Sequence, residues 1–269
     1  MKTKISSYLF LVIAVALAWY LFSRIKFAID EEARIAQSEA LVIEKLMLIR
    51  EAEITFQEVH GRYTNNWDTL LSFINAGQYP IIERSEEIIP QAYGGDSIIV
   101  HIDTVDVIAA KKQIFEQDHL VMAADDGVFQ EFFVKPGQVI TKGQRIYSMI
   151  SSITGKKGNQ VAKQSGKITK LENVSMGQQL VKGDLLFMLV EEKFNPATDI
   201  ASLPMIPSTD KKFELFADKI VNNNIKVNVI EVRDIAPTDP TRNEDNEANN
   251  RKPLRFGSRT EVTTVGNWE

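Results

Sequence analysis

The stretch from Gly127 to Glu191 carries the same pattern of glycines and apolar residues twice, and no other feature constrains the fold as strongly. The first copy reads GVFQEFFVKPGQVITKGQRIYSMI, and the second reads GKITKLENVSMGQQLVKGDLLFMLV. Their turn glycines are Gly127, Gly137 and Gly143, then Gly166, Gly177 and Gly183. Each copy alternates apolar and polar residues and closes from glycine to glycine into an apolar run, which predicts strand, turn, short strand, turn and strand. Glycine suits turns that need a positive φ.

Written twice in register, this pattern resembles the biotinyl/lipoyl-like fold, or barrel-sandwich hybrid, over Leu120 to Glu191. The resemblance implies a small sandwich of two interlocked halves joined by a hairpin. It also implies a docking role without a cofactor, as in membrane fusion proteins, the periplasmic adaptors. Those proteins usually insert a long helical hairpin where this chain has a short loop. Two unrelated glycine-rich hairpins in a β-domain stay open as the alternative.

The hairpin between the two copies contains two candidate lysines. A biotin or lipoate carrier of the resembling family needs an exposed lysine at the tip of this hairpin. Lys156 and Lys157 lie near the tip, in the stretch SSITGKKGNQ, but neither has the Met-Lys-Met or Asp-Lys-Ala context of a carrier. We interpret them as solvated turn lysines. A biotin- or lipoate-type carrier subunit modified on Lys156 or Lys157 stays open as an alternative.

Composition and motifs argue against several classes of function. A net charge of -5 without a dense basic patch predicts no nucleic-acid partner. The absence of cysteine excludes disulfides and thiolate zinc sites. His60, His101 and His119 never form the His-x-His pair that the lysostaphin-type metallopeptidases, which share a related β topology, place on zinc. Without a nucleophile elbow, phosphate loop or dinucleotide fingerprint, the chain is predicted to be no enzyme and to hold no metal or cofactor.

The N-terminal segment is strongly apolar. Residues 5–22, ISSYLFLVIAVALAWYLF, carry no charge and follow a start with two lysines, which is typical of a membrane segment. Small residues at Ala14, Ala16 and Ala18 permit a cleaved signal as the alternative. Because the apolar run continues past them into a helical pattern, we predict an uncleaved transmembrane anchor over 1–23. The expected location is the inner (cytoplasmic) membrane, single-pass, with the C-terminal body in the periplasm.

Residues 24–60 contain no proline or glycine and are rich in helix formers, which predicts a stalk helix. Steps of four and three residues give an apolar stripe, which consists of Ile29, Ala33, Ala36, Ala40, Ile43, Met47 and Ile54. A stripe with this period packs against another helix or a domain face, and its small alanines permit close approach. We therefore predict a coiled-coil contact, with a homo-oligomer formed through the stalk helix.

Residues 61–117 are predicted to form a small α+β region. Asn65 or Asn66 can cap a short helix that ends before Gly77. A long helix followed by Gly-x-Tyr and a short helix is similar in shape to pilin-like subunits. The leader lacks the Gly-Phe junction of those subunits and the glutamate that follows it, so only the shape supports a pilin-like alternative.

Most of the remaining segments read as strands, but residues 81–89 are predicted to form a short helix before Pro90. The predicted strands are 97–107, 213–220 and 225–232. A C-terminal β region spans 192–269, and the polar, acidic residues 238–250 within it are predicted to form a flexible loop. That loop lacks the glycine and closing glutamate of the helix-loop-helix calcium pattern, so we predict no calcium site.

These predictions combine into an α+β protein in which a transmembrane and stalk helix precedes a mainly β region, with a lipoyl-like sandwich at 118–191. The predicted function is a non-catalytic, membrane-anchored scaffold or adaptor subunit of a cell-envelope assembly for export, secretion or surface motility. Its predicted partners are the membrane and other envelope proteins, which it would dock through the β region.

Overall fold

The computed structural model describes residues 2–90, 96–222, 224–246 and 251–269. The chain divides into two compact units, of which the first joins Met1–Leu70 to Ala201–Glu269 and the second is Leu71–Ile200. The helices are α1 (Lys2–His60), α2 (Trp67–Ala76) and α3 (Ala110–Phe115). The strands are β1 (Gln78–Pro90), β2 (Asp96–Ala109), β3 (Glu116–Met122), β4 (Gly127–Phe132), β5 (Val139–Ile140), β6 (Arg145–Ser151), β7 (Lys157–Val161), β8 (Gly166–Leu171), β9 (Gln179–Leu180), β10 (Leu185–Glu192), β11 (Glu214–Asn222), β12 (Ile225–Arg233) and β13 (Arg255–Gly257). The architecture is α+β, with a long N-terminal helix and mostly β-sheets, and the predicted domain boundaries stay predictions.

The predicted transmembrane anchor over 1–23 is wrong. In the part of the chain that the structure describes, no helix combines the length and the apolar character that crossing a membrane requires. The predicted fold class with a transmembrane helix, and the single-pass inner-membrane location with a periplasmic body, are wrong for the same reason.

Helix α1 ends at His60, directly before Gly61, where the sequence predicts its end. Gly61 has a φ of 68°, and its N–H donates to the carbonyl of Gln57 at 2.8 Å, which closes the last turn. Asn66 then caps α2, because its Oδ1 accepts the N–H groups of Asp68 at 2.8 Å and Thr69 at 3.3 Å. The capping residue is therefore Asn66 rather than Asn65.

The second half of α1 supplies the helical part of the core of the first unit. Its buried residues are Val42, Leu46, Leu48, Ile49, Ala52, Glu53, Thr55 and Phe56. At about 100° per residue, these positions centre on the side of the helix that faces away from the predicted stripe. Among the stripe residues, Ile29, Ala33, Ala36, Ala40 and Met47 are exposed, and Ile43 and Ile54 are half-buried. Contact of this stripe with a second helix stays a prediction.

We expect charges within the stripe to weaken self-association of the full-length chain. Ala36→Glu combined with Ala40→Glu places carboxylates where two helices would approach closely, so the association constant should fall by about tenfold or more. Arg34→Glu is the control, because Arg34 lies on another face of α1 and its side chain is 60% exposed. Sedimentation velocity measures the association. A wild-type chain that is monomeric, or an equal effect of the control, would contradict the prediction.

In the first unit, β11, β12 and β13 form an antiparallel sheet in that order. Val229, Ile230 and Val232 of β12 are buried, as is Phe256 of β13. One set of ion pairs joins arginines and glutamates across the sheet: Arg259 to Glu231 at 2.8 Å, Arg259 to Glu214 at 3.0 Å, Arg233 to Glu244 at 2.7 Å and Arg255 to Glu244 at 3.6 Å. Shared partners make this a network, which stabilises more than isolated surface pairs do.

Part of the predicted flexible loop is held by ion pairs. The structure describes residues 238–246 of this loop, and residues 247–250 lie outside the described residues. Asp239 is buried and accepts from Arg251 at 2.8 Å. Desolvation is the largest single effect on the pKa of Asp239, and it raises this pKa. The hydrogen bonds from Thr241 and the charge of Arg251 together outweigh desolvation, so the pKa lies below its ordinary value.

In the second unit, β1 and β2 pair along their whole length as a two-stranded antiparallel sheet. The predicted helix over 81–89 is therefore wrong, because that segment is part of β1. The reason is non-local: hydrogen bonds to β2 satisfy its backbone, and its own residues do not show that partner. Residues 91–95, between the two strands, lie outside the described residues.

Strands β3 to β10 form two four-stranded sheets, which we call the repeat sandwich. Their orders are β3-β10-β8-β5 and β7-β6-β4-β9. Strand β5 of the first copy pairs in the sheet that holds β8 and β10 of the second copy, and β9 pairs with β4 in return. The core they share includes Phe129, Ile140, Ile146, Tyr147, Ile168, Leu180, Leu186 and Phe187. Because the copies exchange strands, neither copy can bury its apolar face without the other.

The turns of the two copies are built alike. The side chain Oε1 of Gln138 accepts the N–H of Lys135 at 3.0 Å, and Oε1 of Gln178 accepts the N–H of Ser175 at 3.1 Å. Both turns also donate backbone N–H groups to a strand of the other copy. The recurrence of glutamine in the sequence repeat therefore has a structural cause, since its amide group closes the turn.

Candidate functional site

The repeat glycines are required for two different reasons. A Cβ on Gly127 would lie 2.3 Å from the carbonyl oxygen of Ile150, and a Cβ on Gly166 would lie 2.5 Å from that of Val190. These two positions exclude a side chain because a neighbouring strand passes too closely. The remaining repeat glycines have positive φ in turns: 79° at Gly137, 87° at Gly143, 85° at Gly177 and 98° at Gly183.

The hairpin between β6 and β7 ends in a turn with its own hydrogen bonds. The hydroxyl of Ser151 accepts the N–H groups of Ile153 at 3.2 Å and Thr154 at 3.4 Å. The carbonyl of Ser151 accepts the N–H of Gly155 at 2.8 Å. On this ordered backbone, the side chain of Ile153 is 82% exposed. The tip therefore presents an aliphatic side chain to solvent where polar turn residues are the usual choice.

The predicted lysines lie directly after this tip. Lys156 ends the turn and Lys157 begins β7, and both are exposed. The Nζ of Lys157 pairs with Oε1 of Glu131 at 3.0 Å. Only the backbone of Lys156 makes hydrogen bonds within the described part of the chain, so its ammonium group is free in solvent. The structure thus places both lysines together and gives them different surroundings.

A cleft of about 380 Å³ opens in the repeat sandwich between β3 and β7, which are edge strands of its two sheets. Its exposed apolar lining consists of Leu120, Met122 and Val161, which are 54%, 47% and 49% exposed. Its charged lining residues within the described chain are Lys163 and Lys182, and none is acidic. We call this feature the β3–β7 cleft. No local sequence pattern indicates this cleft, because its residues come from segments that are far apart in the chain.

The histidines take part in local contacts. His119 Nε2 lies 2.9 Å from Oε2 of Glu191, and His101 Nε2 lies 3.3 Å from Oε2 of Glu87. His60 stacks on Phe56. Within the described ranges, no group of three or more histidine, cysteine, aspartate or glutamate residues could hold a metal ion.

Glu53 of α1 is a buried carboxyl group that the sequence analysis did not single out. It is 0% exposed, and its Oε2 accepts the N–H of Thr64 at 3.0 Å. Its Oε1 has no hydrogen-bond partner among the described residues. Burial raises the pKa of Glu53 to about 8, although the hydrogen bond from Thr64 acts in the opposite direction. Burial, and then the charge of Glu53, also raise the pKa of the Tyr63 hydroxyl.

Comparison with known proteins gives limited likenesses. No family model matches the sequence, and no curated protein matches it significantly. The urea carboxylase of Kluyveromyces lactis is similar over 27% of this chain and 6% of its own, with 19% identity and a TM-score of 0.25. A single-chain, multi-domain long-chain acyl-CoA carboxylase is similar over 29% of this chain and 7% of its own, with 15% identity and a TM-score of 0.25. The chain therefore spans a small part of each carboxylase, and their activities are not assigned to it.

Proposed function

We propose that the chain is a non-catalytic adaptor that binds a protein partner through the tip of the repeat sandwich. The observation that carries this proposal is Ile153, which is 82% exposed on a turn whose backbone is held by Ser151. An ordered turn loses little entropy on binding, and burial of an aliphatic side chain contributes about 25 cal/mol per Å² of area removed from water. The resemblance of the repeat to biotinyl/lipoyl-like docking modules supports the same role.

Photo-crosslinking from the tip tests this proposal. A photoreactive residue replaces Ile153 in the full-length chain inside its source cells, and the control carries the same residue at Val221, which is 66% exposed in β11. We expect one discrete crosslinked polypeptide from position 153 and none from position 221. With the identified partner purified, Ile153→Asp should weaken its affinity by about tenfold or more, because a charged group would be buried in the contact. Equal crosslinking from both positions would contradict the proposal.

A carrier function is the second candidate, because the ammonium group of Lys156 is free and exposed beside the tip. Intact mass of the protein purified from its source distinguishes the two functions. A discrete covalent addition of biotin or lipoate that disappears in Lys156→Arg would establish a carrier. The adaptor function instead predicts an unmodified chain and partner binding that Lys156→Arg leaves unchanged.

A further inference from the structure

The β3–β7 cleft joins an apolar inner wall to an apolar mouth. The wall includes Ile146 and Phe187, which belong to the core of the repeat sandwich and are 3% and 0% exposed. The mouth is formed by Leu120 of β3 and Val161 of β7, which are about half exposed. Removal of such surface from water is favourable, so the lining favours an apolar occupant.

The size of the cleft limits this occupant to a small molecule. Strands β3 and β7 are the edges of their sheets, and in the part of the chain that the structure describes no further strand pairs with either edge. The volume of about 380 Å³ lies near the lower end of the range of about 300–1,000 Å³ that is usual for small-molecule sites. Such a cleft suits a single aliphatic chain better than a phospholipid with two chains.

The charged residues of the cleft select the head group of the occupant. Lys163 and Lys182 line the cleft, both are exposed, and neither forms an ion pair within the described residues. Asp125 and Asp126 follow the lining residue Ala124 but do not line the cleft, and Oδ1 of Asp126 accepts the backbone N–H of Lys182 at 2.7 Å. The described lining therefore carries two positive charges and no negative charge, which favours an anionic head group.

We propose that the β3–β7 cleft binds one molecule of a free long-chain carboxylic acid. The aliphatic chain lies against Ile146 and Phe187, and the carboxylate accepts hydrogen bonds from the ammonium groups of Lys163 and Lys182. Hydrogen bonds between ionised groups are stronger than neutral ones, and a lysine stem packs along apolar surface while its ammonium group stays in water. This inference goes beyond the adaptor function, since Ile153 and the lysines of the tip do not line the cleft.

Calorimetric titration of the full-length chain with two single-chain ligands tests the role of the lysines. Wild type should bind dodecanoate saturably and dodecyltrimethylammonium at least tenfold more weakly, because the two ligands share a chain and differ in charge. Lys163→Glu with Lys182→Glu should reverse this preference, whereas Lys163→Arg with Lys182→Arg should keep it. Lys167→Glu with Lys226→Glu is the control, since both lysines are exposed and lie outside the cleft. Equal affinity of wild type for both ligands, or an equal reversal in the control, would overturn the proposal.

A bulky side chain at the mouth tests the location of the site. Val161→Trp should lower the affinity for dodecanoate by about tenfold or more, because the indole would occupy the mouth of the cleft. Val221→Trp, at an exposed position of β11, should leave the affinity unchanged. Acid that binds to the apolar N-terminal segment would respond to neither variant. No saturable binding by wild type up to about 100 µM dodecanoate, or an unchanged affinity in Val161→Trp, would overturn the proposal. Crosslinking of a partner from position 153 is measured separately, so either result can fail without the other.

Discussion

Replacing Gly257 by alanine is expected to destabilise the first unit by about 3–5 kcal/mol. A Cβ at this position would lie 2.0 Å from the carbonyl oxygen of Ile230 and 2.9 Å from its carbonyl carbon. Both atoms belong to the backbone of β12, which is held by β11 on its other side, so they cannot move without disturbing the sheet. The φ of 77° adds strain, because residues with a Cβ rarely adopt it.

Gly61→Ala is the matched control for this clash. Gly61 lies in the same unit with a φ of 68°, but a Cβ there would meet nothing within 4 Å. Its replacement should therefore cost about 1 kcal/mol, which is the conformational part alone. The tryptophans, Trp19, Trp67 and Trp268, all lie in the first unit, so denaturant unfolding followed by tryptophan fluorescence measures both variants. Equal losses in the two variants would show that β12 moves aside at no cost.

Glu53→Gln is expected to stabilise the first unit at pH 8 by about 3 kcal/mol and to change it little at pH 5. Burial raises the pKa of Glu53 from 4.5 to about 8, so the folded chain keeps a proton that the unfolded chain loses between these values. Stability is therefore fully present below about pH 4.5 and falls as the pH rises toward 8, at up to about 1.4 kcal/mol per pH unit. Glutamine carries no titrating proton, and its amide oxygen can still accept the N–H of Thr64.

Unfolding free energies at several pH values between 5 and 8.5 measure this effect. The difference between Glu53→Gln and wild type should grow steadily across the range. Glu44→Gln is the control, because Glu44 lies on the same helix and is exposed. A constant difference between Glu53→Gln and wild type would mean that Glu53 is ionised in the folded chain, which would contradict the burial argument.

Local signals in the sequence predicted much of the repeat sandwich. Glycines that recur at fixed spacing, with apolar runs between them, indicate strands and turns without knowledge of their partners. The same holds for the end of α1 before Gly61 and for an asparagine cap at residue 65 or 66, of which the structure selects Asn66, because backbone conformation and capping depend on neighbours in the chain.

Predictions were less successful for features that depend on residues distant in the chain. The apolar leader suggested a membrane anchor, and no described helix meets the requirements of one. Residues 81–89 suggested a helix, and they form β1 because β2 lies beside them. The stripe on α1 is exposed or half-buried in the described chain, so its contact with a second helix stays a prediction.

By itself, therefore, the sequence determined the repeated strand-turn pattern, the end of the long helix before Gly61 and an asparagine cap for the short helix that follows, since steric and capping preferences act over a few residues. The tertiary structure alone decided that the two copies exchange strands, that Glu53 is buried and accepts the N–H of Thr64, and that Lys163 and Lys182 share a cleft with Leu120. Burial and electrostatic surroundings are set by residues that are distant in the chain, so no local pattern contains them.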